Sequence, residues 1–91
     1  MTQTTQSTPK PPARGAYLAD ESAARVSPAG RAWVGRVQIP LRDGGALLVT
    51  HTGYQWPAAP GDLREATATE RAAYDAARAR WIRAAVPGVG P

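Results

Sequence analysis

Apolar and polar side chains alternate most clearly between Arg31 and Trp56. Trp33, Val37, Ile39 and Leu41 fall at odd positions with Gly35 in the same row, while Arg36 and Gln38 point the other way. A period of two predicts a strand with one buried face. Pro40 has no N–H to give to a ladder, so this strand is expected at a sheet edge or with a bulge there. Asp43-Gly44 follows, between two apolar runs. That pair predicts a hairpin, because a type I′ turn needs positive φ at both central residues. The return strand runs from Ala46 to Trp56. A two-residue loop would pair Ile39 with Leu48 and Val37 with Thr50, and a four-residue loop over Asp43 to Ala46 would leave the same parity of faces. Trp33, Val37, Ile39 and Leu41 would then share a face with Leu48, Thr50, Thr52 and Tyr54. Val34, Leu47, Val49 and His51 would share the other.

The pattern changes after Trp56. Residues 57–66 hold Pro57, Pro60 and Gly61 and read as a linker. Thr67-Ala68-Thr69-Glu70 is a capping box, which predicts a helix from about 67 to 86, stopped by Pro87-Gly88. Helical spacing sets Tyr74, Ala77, Trp81 and Ala84 or Ala85 on one stripe, expected to pack on the Trp33/Ile39/Leu48 face of the hairpin. Arg71, Asp75 and Arg78 form a flank with the spacing of ion pairs. Upstream, Met1 to Arg14 is almost devoid of apolar side chains, and Pro9, Pro11 and Pro12 bias it toward an extended polyproline II arm. Between the arm and the turn signal Pro28-Ala29-Gly30, Asp20 could cap a short helix through Arg25, or a strand could begin near Val26. The expected fold is α+β, a two-layer unit. One layer is a β-hairpin, or a three-stranded sheet if the strand near Val26 forms, and the other is one C-terminal helix. The expected segments are an arm at 1–14, a domain at 15–86 with its hairpin at about 31–56, and a tail at 87–91.

Composition limits what this unit can do. Of 91 residues, roughly 70 belong to the domain, a size at which one core supplies only about 3–5 kcal/mol. There is no Cys and no Phe, and Ala makes up much of the apolar count. Disulfides and thiolate metal sites are excluded, and the single His excludes a multi-His site in one chain. A core this thin is expected to rely on other protein subunits, of its own kind or another. The net charge is +4, and Lys10 is the only Lys beside ten Arg. Guanidinium forks suit carboxylate and phosphate. Ala, Arg, Gly and Pro are also the residues of GC-rich codons, the usage of high-GC bacteria such as actinobacteria and of their phages. No segment reaches the ~20 apolar residues of a membrane span, and the N-terminus lacks an apolar signal region. The expected place is the cytoplasm or a particle assembled there, with no membrane partner.

Candidate chemistry is sparse. His51 between Thr50 and Thr52 suggests a base beside a hydroxyl, but no residue pattern supplies an orienting group or an oxyanion site. Asp20, Glu21, Asp43, Asp62, Glu65, Glu70 and Asp75 are scattered. Gly88-x-Gly90 lies after a helix, the wrong end for an anion. No catalytic residue, metal or cofactor is expected. The strongest functional signal is the mixing of Arg with aromatic rings. The reading drawn from it is a non-enzymatic interaction protein that docks through Trp33, Tyr54, Trp56 and Trp81, with its arm lying on a neighbour. A capsid-stabilising or head–tail accessory protein of a phage virion is its most concrete form. One alternative is a basic regulator binding nucleic acid through Arg31, Arg36, Arg71, Arg78, Arg80 and Arg83. Another is a small protein inhibitor of a host complex.

Overall fold

The structure, a computed structural model, describes residues 12–26 and 30–85. The expected arm up to Pro11, the Pro28-Ala29 turn and the tail at 87–91 lie outside the described residues. The chain is a small α+β fold. Its elements are β1 (Tyr17–Asp20), α1 (Ser22–Val26), β2 (Trp33–Pro40), β3 (Ala46–Val49), β4 (Gln55–Ala58), a 3-10 turn (Pro60–Asp62), β5 (Leu63–Glu65) and α2 (Ala68–Ala85). The strands form one antiparallel sheet in the order β4-β3-β2-β1-β5.

That order forces the sheet to curl. In a flat five-stranded sheet the outer strands lie about 19 Å apart, at ~4.8 Å per step. Here the outer strands β4 and β5 are joined by residues 59–62 alone, and the 3-10 turn among them rises only about 2 Å per residue. The edges must approach each other, and the inner face closes on itself. Val37, Ala46, Leu48 and Ala58 are buried there, with Leu18, Trp56 and Leu63 packed against them. Leu63 of β5 thus joins the cluster built by β2, β3 and β4. The crowding explains the small residues. A Cβ at Gly35 would stand 2.9 Å from the Trp56 ring and 3.0 Å from the Leu48 Cβ. One at Gly45 would stand 2.1 Å from the Ala58 carbonyl oxygen.

The structure corrects several expectations. The Asp43-Gly44 hairpin exists, but its loop has three residues, not two or four. The Gly44 N–H donates to the Leu41 carbonyl (3.1 Å), the Leu41 N–H donates to the Gly45 carbonyl (2.9 Å), and Gly44 takes φ 90°. This is the turn in which a left-handed glycine closes a G1 bulge. It shifts the register by one, pairing Ile39 with Leu47 and Pro40 with Ala46. A bulge at Gln38 then shifts it again, so that Val37 faces Leu48 and Arg36 faces Val49. Two one-residue shifts restore the original parity, so Trp33, Gly35, Val37 and Leu48 do share the inner face. Ile39, beyond the bulge, is turned out with Leu47. Pro40 therefore follows a bulge, as one of the two expectations held, within a strand that is central in the sheet.

The long return strand is two strands. Thr50 to Tyr54 repeats the same turn: the Gly53 N–H donates to Thr50 (3.0 Å), the Thr50 N–H donates to Tyr54 (2.8 Å), and Gly53 takes φ 95°. His51 and Thr52 thus lie in a turn rather than on a strand. The extra strands are β1 and β5, not a strand near Val26, which ends α1 with its side chain exposed. The 57–66 segment is not a linker, because it carries the end of β4, the 3-10 turn and β5.

The largest correction concerns the helix. α2 starts at the expected capping box: the Thr67 N–H donates to Glu70 Oε1 (2.8 Å), and the Glu70 N–H donates to Thr67 Oγ1 (3.1 Å). It packs on the outer face of the sheet, however, not the Trp33/Leu48 face, which the curl has already filled. Tyr74 Oη donates to the Val49 carbonyl (2.9 Å), and its ring meets the Tyr17 edge at 5.6 Å. Asp75 accepts from Tyr17 Oη (2.7 Å) rather than pairing with Arg71 or Arg78. Beyond Ala77 the described side chains of α2 are exposed, Trp81 among them.

Candidate functional site

Trp33 opens β2, Tyr54 leads into β4, and Trp56 lies within β4. The curl brings the three rings together at one end of the inner face. Trp33 stands perpendicular to Trp56 (5.5 Å, 90°) and to Tyr54 (6.2 Å, 82°), while Tyr54 and Trp56 are nearly parallel (6.3 Å, 16°). Edge-to-face and offset pairs suit the ring quadrupoles, about 0.5–1.5 kcal/mol each beyond burial. Trp33 and Tyr54 are nonetheless left 46% and 58% exposed, while Trp56 is partly buried against the core.

Asp20 anchors the cluster from beneath. It pairs with Trp33 across β1 and β2 and is buried. Its Oδ2 accepts from Trp56 Nε1 (2.8 Å), and its Oδ1 accepts from the Ser22 amide (2.9 Å) and hydroxyl (2.6 Å). Burial pushes the carboxyl up, but the donors from Ser22 and Trp56 together outweigh it and hold it below its ordinary value. Asp20 thus caps α1, as one of the two sequence readings expected, and also sets the Trp56 ring over Gly35. The second task is invisible in sequence, because it depends on β1, a strand that sequence patterning did not reveal.

Beside the rings lies a cleft of about 890 Å³ between α2 and the strand ends, lined by Arg31, Trp33, His51, Tyr54 and Tyr74 among others. Its far wall is the Arg64 cluster. Arg64 grips both carboxylate oxygens of Glu70 at 2.8 Å and also bonds Glu21. The Arg64 guanidinium, then the Thr67 amide, hold the Glu70 carboxyl at about 2, and the two carboxylates raise Arg64 above its ordinary value. This fork ties the start of α2 to β5 and the end of β1. Arg64 was not singled out in the sequence, because only the β1–β5 pairing brings Glu21 to it.

The sequence-selected residues divide. Trp33, Tyr54 and Trp56 form one patch. Trp81 does not join it and sits with Ile82 on the outer part of α2, 46% and 45% exposed. The selected Arg residues do not converge. Arg36 is engaged within the fold, its guanidinium 4.8 Å from the Tyr17 ring centre and its Nε donating to the Gly15 carbonyl (3.1 Å). Arg31 lines the large cleft, and Arg78 a second one of about 400 Å³ near Gln38 and Gly53. Arg71, Arg80 and Arg83 are exposed along α2. By helical spacing Arg71 and Arg78 flank Tyr74, whereas Arg83 lies on the opposite side. His51 packs its ring edgewise on Tyr74 at 6.4 Å. Among the described residues no group of three or more His, Cys, Asp or Glu could hold a metal ion, and no helix is long and apolar enough to cross a membrane. No family model, curated protein or solved structure matches this chain.

Proposed function

We propose that this chain is a non-enzymatic interaction protein that docks in a larger protein assembly through the Trp33–Tyr54–Trp56 patch. A capsid-stabilising or head–tail subunit of a phage particle is the most concrete form of that role. The observation that carries the reading is the patch itself. Large aromatic rings held in fixed geometry and left half-exposed are the usual composition of an interface centre. A small fold gains little by leaving such rings in water. An inhibitor of a host complex would use the same patch and differs only in the identity of its partner.

The test is the association state of the purified chain, followed by light scattering with the 260/280 nm absorbance ratio. The docking reading expects protein-only association, weakened by Tyr54→Ala with the circular dichroism unchanged. A chain that carries nucleic acid and sheds it in high salt would instead support the basic regulator, since displacing phosphate contacts is what salt does. The scattered placement of the six Arg residues favours the first outcome.

A further inference from the structure

The six selected Arg residues form no common face, yet two of them meet in the smaller cleft. It lies between α2 and the outer face of the sheet, where Arg36 of β2 and Arg78 of α2 share the wall with Gln38 and Tyr74. We propose that this cleft is a binding site for a phosphate monoester, whose oxygens bridge the Arg36 and Arg78 guanidiniums. The site is separate from the aromatic patch and stands without it.

Carbonyl acceptors along the wall are already taken. Gly15 accepts from Arg36 Nε (3.1 Å), Val37 from the Gly15 N–H (2.8 Å) and Val49 from Tyr74 Oη (2.9 Å). Gln38 Oε1 accepts from Gln55 Nε2, which leaves the Gln38 amide N–H groups to donate. A guanidinium carries five N–H donors. Arg36 uses one on Gly15, and its terminal nitrogens bond to no other group among the described residues. Arg78 is exposed, and neither Arg belongs to the described ion pairs, which use Arg25 and Arg64. Among the described residues no carboxylate lines the cleft. The nearest acid along α2, Asp75, accepts from Tyr17 Oη. The wall thus offers charged donors and asks for an acceptor.

Two like charges around one concavity repel, and an anion between them relieves the repulsion. Burial raises the Tyr74 phenol, while Arg78 and then Arg36 oppose the rise, so both charges reach the ring that walls the cleft. Arg36 lies with its guanidinium carbon 4.8 Å from the Tyr17 ring centre, a contact that orients it before a ligand arrives. Charge then selects the ligand. A carboxylate would answer one guanidinium, whereas a phosphate monoester carries a charge of about −1.5 to −2 near neutrality and presents three oxygens to the planar forks. The cleft, at about 400 Å³, has room for the phosphate and part of the group it esterifies. A nucleic-acid strand fits less well. It needs a row of cations, and helical spacing turns Arg80 and Arg83 away from Arg78.

The experiment is isothermal titration calorimetry on the full chain, in chloride buffer at constant ionic strength. The probes are inorganic phosphate, a phosphoserine peptide capped at both ends, and single-stranded oligothymidylate. Phosphate and the peptide should each saturate one site per chain. Arg36 is engaged within the fold, so the exposed Arg78 is the residue varied. Arg78→Gln should weaken both ligands about tenfold or more, through the lost charge-assisted bonds. Arg80→Gln removes the same charge from the same helix and should leave both affinities within about twofold, because an exposed charge turned away is screened. If phosphate binds as tightly as the peptide, the ligand is a small phosphate ester. If the peptide binds more tightly, it is a phosphorylated side chain of a partner. Either result supports the site. It is overturned if phosphate shows no saturable binding, or if Arg80→Gln weakens binding as much as Arg78→Gln. It is also overturned, in favour of nucleic acid, if oligothymidylate binds more tightly than the peptide.

Discussion

At the scale of single residues, the aromatic patch depends on two positions that lie beneath it. Gly35 is one. It lies under the Trp56 indole, and a methyl group there would meet ring carbon at 2.9 Å and Leu48 at 3.0 Å. Gly35→Ala should destabilise the fold by about 1–3 kcal/mol through overpacking, read as a lower urea midpoint. It should also raise tryptophan exposure, because the ring is the more mobile of the two obstacles. Asp20 is the other. Truncating it leaves Trp56 Nε1 and the Ser22 amide without their acceptor, which costs about 1–3 kcal/mol when such groups stay buried. Asp20→Ala should therefore unfold earlier in urea. Asp20→Asn, which keeps an acceptor oxygen, should fall between it and the parent. Both residues are ordinary in the sequence. A glycine in a strand and an aspartate before a serine gain their meaning only when the neighbouring strand is known.

At the scale of elements, legibility followed the range of the interaction. The start of α2 was readable because Thr67 and Glu70 are three residues apart and cap each other. The two hairpin turns share one design, with glycine in the left-handed region at Gly44 and Gly53. Only the first was read, because Asp-Gly is a strong signal, whereas Thr-Gly between β-formers looked like continuous strand. β1 and β5 are short and pair with each other over a long stretch of chain, Asp20 with Leu63 and Leu18 with Glu65, so their alternation carries little local information. The helix was placed on the wrong face for a related reason. An apolar strand face needs a cover, and the nearest visible cover in the sequence was α2, whereas the sheet's own curl supplies it. The helix itself makes a clear prediction. Thr67→Ala should cost about 1 kcal/mol through the lost cap. Trp81→Ala should change monomer stability by less than about 0.5 kcal/mol, because the helix overhangs the sheet there. Tyr74→Phe, which strips the hydroxyl from the Val49 carbonyl, should cost about 1 kcal/mol. Thermal unfolding should set Trp81→Ala apart from the other two. A large loss at Trp81 would mean that the outer half of α2 is packed.

At the scale of the whole molecule, one ionic junction ties the helix to the curled sheet. Arg64 of β5 holds Glu70 of α2 and Glu21 at the end of β1, so the same contact fastens three parts of the chain. Its pH dependence follows from the direction of the shift. The Glu70 carboxyl is depressed in the fold to about 2, against an unfolded value near 4.5. A depressed acid contributes stability that is present above its unfolded value and is lost as pH falls through its folded value. Asp20 shifts in the same direction, so the two add. Stability should thus be level near neutrality and decline from about pH 4.5 toward pH 2. The tyrosines act at the other end. The Asp75 hydrogen bond to Tyr17 and the burial of Tyr74 each raise a phenol above its usual value. A raised acid contributes fully below its unfolded value, so this share declines as pH climbs past about 10. Melting temperatures measured from pH 2 to pH 11 should trace a plateau with two shoulders. Glu70→Gln separates the junction from the rest, since it lowers the plateau and flattens the acid shoulder while leaving the alkaline one unchanged. An acid shoulder of undiminished depth in that variant would show that the Arg64 junction does not govern how the helix is held to the sheet.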